Sequence, residues 1–159
     1  MTTAAEDMVD AETSADAVLV RIGASRYAVG LDFVAEVGKV PPLTRVPGVA
    51  AWLAGVANWR GRILPVLDPR SLLGAEVVAH GASARLVVLT TEVATVAVLV
   101  DAVDGTVAVG AAGAPVPAML PGAELVHSQM PLEDGPIAVL DVEAVVRLRE
   151  RLPRGRRSA

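Results

Sequence analysis

Val46–Gly74, read VPGVAAWLAGVANWRGRILPVLDPRSLLG, carries the signals on which the fold assignment turns. Pro47-Gly48 opens it as a turn, and Ala50 to Ala54 reads as a short apolar helical turn. Val56 to Trp59 and Arg62 to Leu67 are two strands of apolar and β-branched residues, separated by a two-residue reversal at Arg60-Gly61. Asp68-Pro69 then has the form of a helix start, with Asp as the cap and Pro at the first position, and Gly74 stops it. A strand pair closed by so tight a turn belongs to a β-rich domain.

Outward from that stretch the pattern stays β. Ala17 to Ile22 and Tyr27 to Leu31 read as a hairpin joined at Gly23 to Arg26. Asp32 begins a short turn, and Val34 to Val40 runs into Pro41-Pro42, which ends regular pairing. Ala75 to Ala84 is a connection of small and polar residues. Arg85 to Thr90 then repeats the strand at Ala17 to Ile22, and Val96 to Val100 with Asp101 repeats Ala28 to Leu31 with Asp32. Ile137-Ala-Val-Leu-Asp141 repeats Leu64-Pro-Val-Leu-Asp68. The three correspondences share nearly the same offset, the mark of an internal repeat. They imply an all-β chain of two pseudo-repeated lobes, each of about five short strands closing as a small barrel to hide its edges. Leu86 to Leu89 and Val96 to Val100 are apolar without alternation, as expected of strands buried on both faces. Val142 to about Leu152 reads as a terminal helix packed on a barrel end.

Composition narrows the chemistry. The 159 residues are 53% hydrophobic, yet the aromatics are only Trp52, Trp59, Tyr27 and Phe33, so the core is aliphatic. The absence of Cys removes disulfides and thiolate chemistry. His80 and His127 are far apart and read as solvated loop residues. No phosphate loop, nucleophile elbow, zinc-binding His motif or dinucleotide fingerprint occurs. Asp68 and Asp141 read as helix caps and Asp104-Gly105 as a turn, so the chain is not expected to be an enzyme, and no catalytic residue, cofactor or metal is assigned.

Net charge is −4, which disfavours nucleic acid as the partner. The charge is polarised: residues 1–16 carry five acids and read as a disordered acidic leader, whereas 147–157 carry six Arg and one Glu. The expected domain covers 17–148, as lobes of about 17–80 and 81–148 with exchange of strands between them allowed, followed by an Arg-rich tail at 149–159. Gly105 to Ala123 is uncharged throughout, but Pro115, Pro117 and Pro121 rule against a spanning helix. No membrane insertion and no secretory signal are expected, which suits a cytoplasmic protein.

A series of short motifs resembles one family. Tyr27-Ala-Val-Gly-Leu31, Val34-Ala-Glu36-Val, Thr44-Arg-Val-Pro47, Gly55-Val-Ala-Asn-Trp-Arg-Gly61, Ile63-Leu-Pro-Val-Leu-Asp68 and Val98-Leu-Val-Asp101 are similar, in order and spacing, to those of the CheW family of chemotaxis coupling proteins. The likeness covers about residues 17–148 and is to the stand-alone coupling protein. It implies two interlocked SH3-like β-barrel subdomains and a noncatalytic adaptor at membrane-associated receptor arrays. The implied partners are the cytoplasmic tip of a methyl-accepting chemoreceptor, the regulatory domain of the histidine kinase CheA, and ring-forming contacts with kinase or other coupling proteins. By the same resemblance the family's conserved acid and arginine fall on Glu36 and Arg60. Its receptor groove falls on Val34, Gly55, Val56 and Val103, in a helix-in-groove mode.

The chain departs from the family pattern at three positions. Trp59 stands where an aliphatic residue is usual, and either reshapes the groove or fills the core. Pro69 replaces a usual Leu, and Ser128 a usual Gly. Two competing readings are a small-barrel nucleic-acid binder, opposed by the acidic charge and scarce aromatics, and a small β enzyme acting through Asp101.

Overall fold

In a computed structural model describing residues 14–110, 114–132 and 135–151, ten strands form two five-stranded sheets. The strands are β1 (Ser14–Ile22), β2 (Ser25–Gly30), β3 (Val34–Lys39), β4 (Leu53–Trp59), β5 (Arg62–Leu67), β6 (Arg85–Thr90), β7 (Thr95–Val100), β8 (Ala102–Gly110), β9 (Val126–Leu132) and β10 (Gly135–Leu140). One short helix, α1 (Val142–Arg147), continues as a 3-10 turn over Leu148–Arg151. No helix among the described residues is long and apolar enough to cross a membrane.

The strand orders are β8-β1-β2-β10-β9 and β3-β6-β7-β5-β4. Each sheet has the same plan. An antiparallel hairpin, β1–β2 or β6–β7, is extended by a parallel neighbour, with Tyr27 and Ala28 opposite Ala138 and Val139, and Ala97 and Val98 opposite Val66 and Leu67. The internal repeat is therefore structural, but the repeats exchange parts. The hairpin of the first repeat completes the sheet of the second, and the reverse.

Exchange explains the unalternating strands, because both of their faces are covered. On β1, Val18, Val20 and Ile22 enter a core shared by the two sheets, while Ala17 and Leu19 point into a smaller cluster with Ala28 and Ile137. On β6, Val87 and Leu89 join the shared core, and Leu86 and Val88 pack with Leu64, Val66, Ala97 and Leu99. Each such fully buried aliphatic side chain contributes roughly 1.5–3 kcal/mol relative to exposure.

The ladders leave each barrel open between its edge strands. A two-bond bridge lies along one edge of each sheet. Thr44 and Val56 exchange N–H···O bonds of 2.9 Å beside β4, and Ala114 and Gln129 exchange bonds of 2.8 and 2.9 Å beside β9. Closure into complete barrels, as expected from the sequence, is thus corrected to two five-stranded sheets whose edge strands share no ladder.

Other boundaries also move. β1 begins at Ser14, inside the stretch read as leader; residues 1–13 and the tail beyond Arg151 lie outside the described residues. Asp141 caps α1 as expected, accepting from the Ala144 N–H at 3.1 Å. The expected helix after Asp68 is only one turn. Leu73 N–H is shared between the carbonyls of Pro69 and Arg70, Ala75 N–H returns to Arg70 O, and Gly74 turns away at positive φ. Asp68 caps this turn as expected, accepting the Arg70 N–H at 3.2 Å, and its carboxylate also takes the buried Arg70 guanidinium.

Candidate functional site

The Arg60-Gly61 reversal has the form of a type I′ hairpin turn, which needs positive φ at both central residues. Arg60 has φ 51 and Gly61 φ 81, in degrees, and Trp59 pairs with Arg62 across them. Arg60 is the only non-glycine with positive φ among the described residues. The left-handed region crowds a Cβ against the carbonyl that follows it, so a side chain is held there only by compensating contacts. Asn58 steadies the turn by accepting the Gly61 N–H at 3.0 Å.

What holds Arg60 there is Glu36, on the opposite edge of the same sheet. Arg60 Nε donates to both Glu36 oxygens, at 3.0 and 2.8 Å, and Nη2 donates to Oε1. Trp59 Nε1 donates to Oε2 at 2.7 Å. The carboxylate is thereby committed inside the molecule. Arg60's hydrogen bonds, followed by that of Trp59, pull the Glu36 pKa down from an ordinary 4.5 to about 2. Arg60, 74% exposed against 29% for Glu36, is the member left facing solvent. Trp59 lies over Gly38 and packs against the cluster that contains Ala57 and Leu99. It fills space between the two edge strands and bonds the Glu36 carboxylate.

The remaining predicted residues occupy two other places. Gly55 and Val56 lie farther along β4, where Thr44 bridges. A Cβ on Gly55, whose φ is positive, would stand 2.5 Å from Thr44 O, so the bridge requires glycine. The corresponding second-half position is Ser128, which is buried on β9 without positive φ. There the register shift of the β9–β10 pair falls between Val139 and Leu140. Val34 and Val103, half-buried, pack on the core shared by the sheets. Glu36 and Arg60 are thus brought into contact, while Val103 belongs to the other sheet.

A second polar cluster was not anticipated. Arg70, 3% exposed, donates from Nε and Nη2 to Asp68 at 3.0 and 2.8 Å and from Nη1 to Val78 O at 2.7 Å. Asp101 lies 3.7 Å from Arg70 and accepts the Gly23 N–H at 2.7 Å. His80, read from sequence as a solvated loop residue, is instead largely covered, with Nδ1 3.1 Å from Asp101. Burial pushes the Asp68 carboxyl up, but the Arg70 side-chain and backbone bonds outweigh it and hold it below the usual range. His127 is exposed, although on β9 and not in a loop.

This cluster floors an open cleft of about 720 Å³ walled by Leu43, Val46, Val49 and Val77, with Arg45 among its lining residues and none of the six predicted residues. Arg70 supplies the cation among these carboxylates. Among the described residues no group of three or more His, Asp or Glu is placed to hold a metal ion.

Comparison with known proteins matches residues 16–150 to the CheW-like domain. PilI of Pseudomonas aeruginosa is 42% identical over 57 residues, 36% of this chain and 32% of its own length. The chemotaxis protein CheW of Rhizobium meliloti is 29% identical over 104 residues, 65% of this chain and 66% of its own. A probable chemotaxis protein CheW of Rhizobium etli is 33% identical over 84 residues, 53% and 54% of the two chains. The chain thus spans about a third to two thirds of the length of these relatives. In three dimensions it resembles the scaffolding protein TtCheW of Thermoanaerobacter tengcongensis, with a TM-score of 0.74, 21% identity, and coverage of 80% of this chain and 84% of that one.

Proposed function

The chain belongs to the CheW-like domain family, and from that premise we propose that it is a noncatalytic scaffold of a chemosensory system. In this reading it couples the cytoplasmic tip of a chemoreceptor to the regulatory domain of the histidine kinase CheA. It works in the cytoplasm, at arrays that the membrane-bound receptors organise.

The observation that carries the reading is the presentation of Arg60. This residue is held at positive φ, braced by Glu36 and Trp59, and left 74% exposed. It is a preformed cationic contact, whose ordering cost is met before any partner arrives. Val56, partly exposed on the same strand, adds an apolar contact for a partner helix, while Gly55 is buried and serves the Thr44 bridge. Glu36 acts in this scheme as a positioning residue, since its oxygens are already bonded, and Arg60 meets an acidic group of the partner.

The test is association of the full chain with a receptor cytoplasmic fragment and with the kinase regulatory domain, each measured by calorimetry. Arg60→Glu is expected to keep the β circular-dichroism signature and to weaken one association roughly tenfold or more. Glu36→Arg is expected to do the same by releasing the arginine. Unchanged affinity for both partners in both variants would remove the seam from the interface.

A further inference from the structure

The imidazole of His80 stands between two carboxylates. Its Nδ1 is 3.1 Å from Asp101 Oδ1, and its Nε2 is 3.5 Å from Asp68 Oδ2. Asp68 follows β5 in the first repeat and Asp101 follows β7 in the second. The ring, carried on the connection between the repeats, therefore meets the exit of a strand from each. Its Nε2 is shielded from solvent and has no hydrogen-bond partner.

A neutral imidazole carries one N–H, on one nitrogen or the other. With the proton on Nδ1 the bond to Asp101 forms, and the Nε2 lone pair is turned on an Asp68 oxygen. The other tautomer serves Asp68 and turns its lone pair on Asp101. Only the imidazolium has a donor for each carboxylate. Charge points the same way, because the remaining group at the ring is the Arg70 guanidinium, 2.8 Å from Asp68 and 3.7 Å from Asp101. Two carboxylates and one guanidinium leave a single negative charge, which the imidazolium cancels. Arg45, Lys39 and Arg85 line the hollows beside His80, but among the described residues none of them pairs with Asp68 or Asp101, and Arg85 is spent on the carbonyls of Ala82 and Ala84.

We propose that His80 is a proton-operated latch, which in acid bridges Asp68 to Asp101 and above neutrality lets go of Asp68. Imidazole is the side chain whose ordinary change of charge falls between about pH 5 and 8. The latch acts on one wall of the large cleft, which His80 lines together with Val77 and Val78. The connection has other moorings. Arg70 Nη1 donates to Val78 O at 2.7 Å, Ala75 N–H to Arg70 O at 2.9 Å, and Arg85 Nη1 to Ala82 O at 3.0 Å. These use guanidinium and backbone groups, which keep their state across that range. The connection thus stays in place while the bridge is made or broken, and the change is confined to the ring, Asp68 and the wall beside them.

Two measurements on the full chain test the latch. The chain has only two histidines, and His127, exposed on β9, serves as an internal reference. In nuclear magnetic resonance spectra near the acid end of the imidazole range, His80 should show two ring N–H protons that exchange slowly with water, and His127 none. At the alkaline end one should remain on His80. A His80 ring with one such proton or none at the acid end overturns the proposal. The second measurement compares urea midpoints of the wild type and His80→Gln across the same range. The amide can donate to one carboxylate but carries no charge at any pH. The protonated ring makes bonds in the folded chain that the unfolded chain lacks, so the contribution of His80 is greatest in acid and declines as pH rises. The wild-type advantage should narrow by roughly half or more from one end of the range to the other. A gap that stays constant, or widens with pH, overturns the proposal.

Discussion

A Cβ on Gly38 would stand 2.6 Å from Cη2 of Trp59, so the indole of β4 rests on the bare backbone of β3. The two edge strands of this sheet share no ladder, and the ring with its hydrogen bond to Glu36 joins them alongside the Arg60–Glu36 pair. Gly38→Ala must push the ring off its site and strain that bond, at about 1–3 kcal/mol. In urea unfolding, Gly38→Ala should lower the midpoint, and adding Trp59→Leu should cost less than the two single effects combined. Strict additivity would show that the two residues are not coupled.

The Glu36 carboxylate is stabilised in its charged form, and this sets a pH dependence with a definite sign. Its folded pKa is depressed, so the seam's contribution is complete above the ordinary 4.5 and is lost as pH falls toward about 2, because the unfolded chain then binds the proton first. Glu36→Gln cannot accept the guanidinium fork. The wild type should therefore unfold at higher urea than Glu36→Gln at neutral pH, and the two curves should converge near the lower limit. A gap that stays constant across that range would mean that packing, not charge, distinguishes them.

Arg60→Gly separates stability from presentation. Glycine relieves the positive φ, while the ion pair it removes is largely exposed and is screened by solvent. The two effects oppose each other and both are small. The expected outcome is a midpoint close to wild type with loss of partner association. A large drop in stability would make Arg60 a structural residue first.

Much of this molecule is legible in its sequence for identifiable reasons. The Arg60-Gly61 turn and both strands beside it follow from two-residue hairpin chemistry, and the repeat follows from Leu64–Asp68 and Ile137–Asp141. Exchange is allowed by the sequence and implied by the resemblance, but which hairpins exchange is not legible, because a strand such as Val96–Val100 carries apolar residues on both faces and so does not say which sheet it joins. In the site, Glu36 and Arg60 are found through motif resemblance, but the part played by Trp59 depends on Gly38, a glycine inside a strand that marks close approach. The buried cluster is hidden for another reason. Asp68-Pro-Arg70 has the local form of a helix start, and only the distant Asp101 and His80, which converge on it in three dimensions, show that its charges face inward.

That cluster makes the last prediction. Asp68 and Arg70 are both nearly inaccessible, and Arg70 also holds Val78 O at 2.7 Å. Truncating one partner strands the other's charge in the interior, so Asp68→Asn or Arg70→Met should each cost about 3–5 kcal/mol. Replacing both, as Asp68→Leu with Arg70→Met, removes the stranded charge and should recover most of that loss, although Asp101 then keeps only Gly23 N–H and His80. The depressed Asp68 pKa adds a pH signature of the same sign as that of Glu36, present above the ordinary carboxylate value and fading in acid. In Arg70→Met burial is left largely unopposed, so that signature should reverse, with stability falling as pH rises. Denaturant unfolding of the four proteins across pH measures the coupling directly, and a double variant as unstable as the two single losses combined would show that Asp68 and Arg70 act independently.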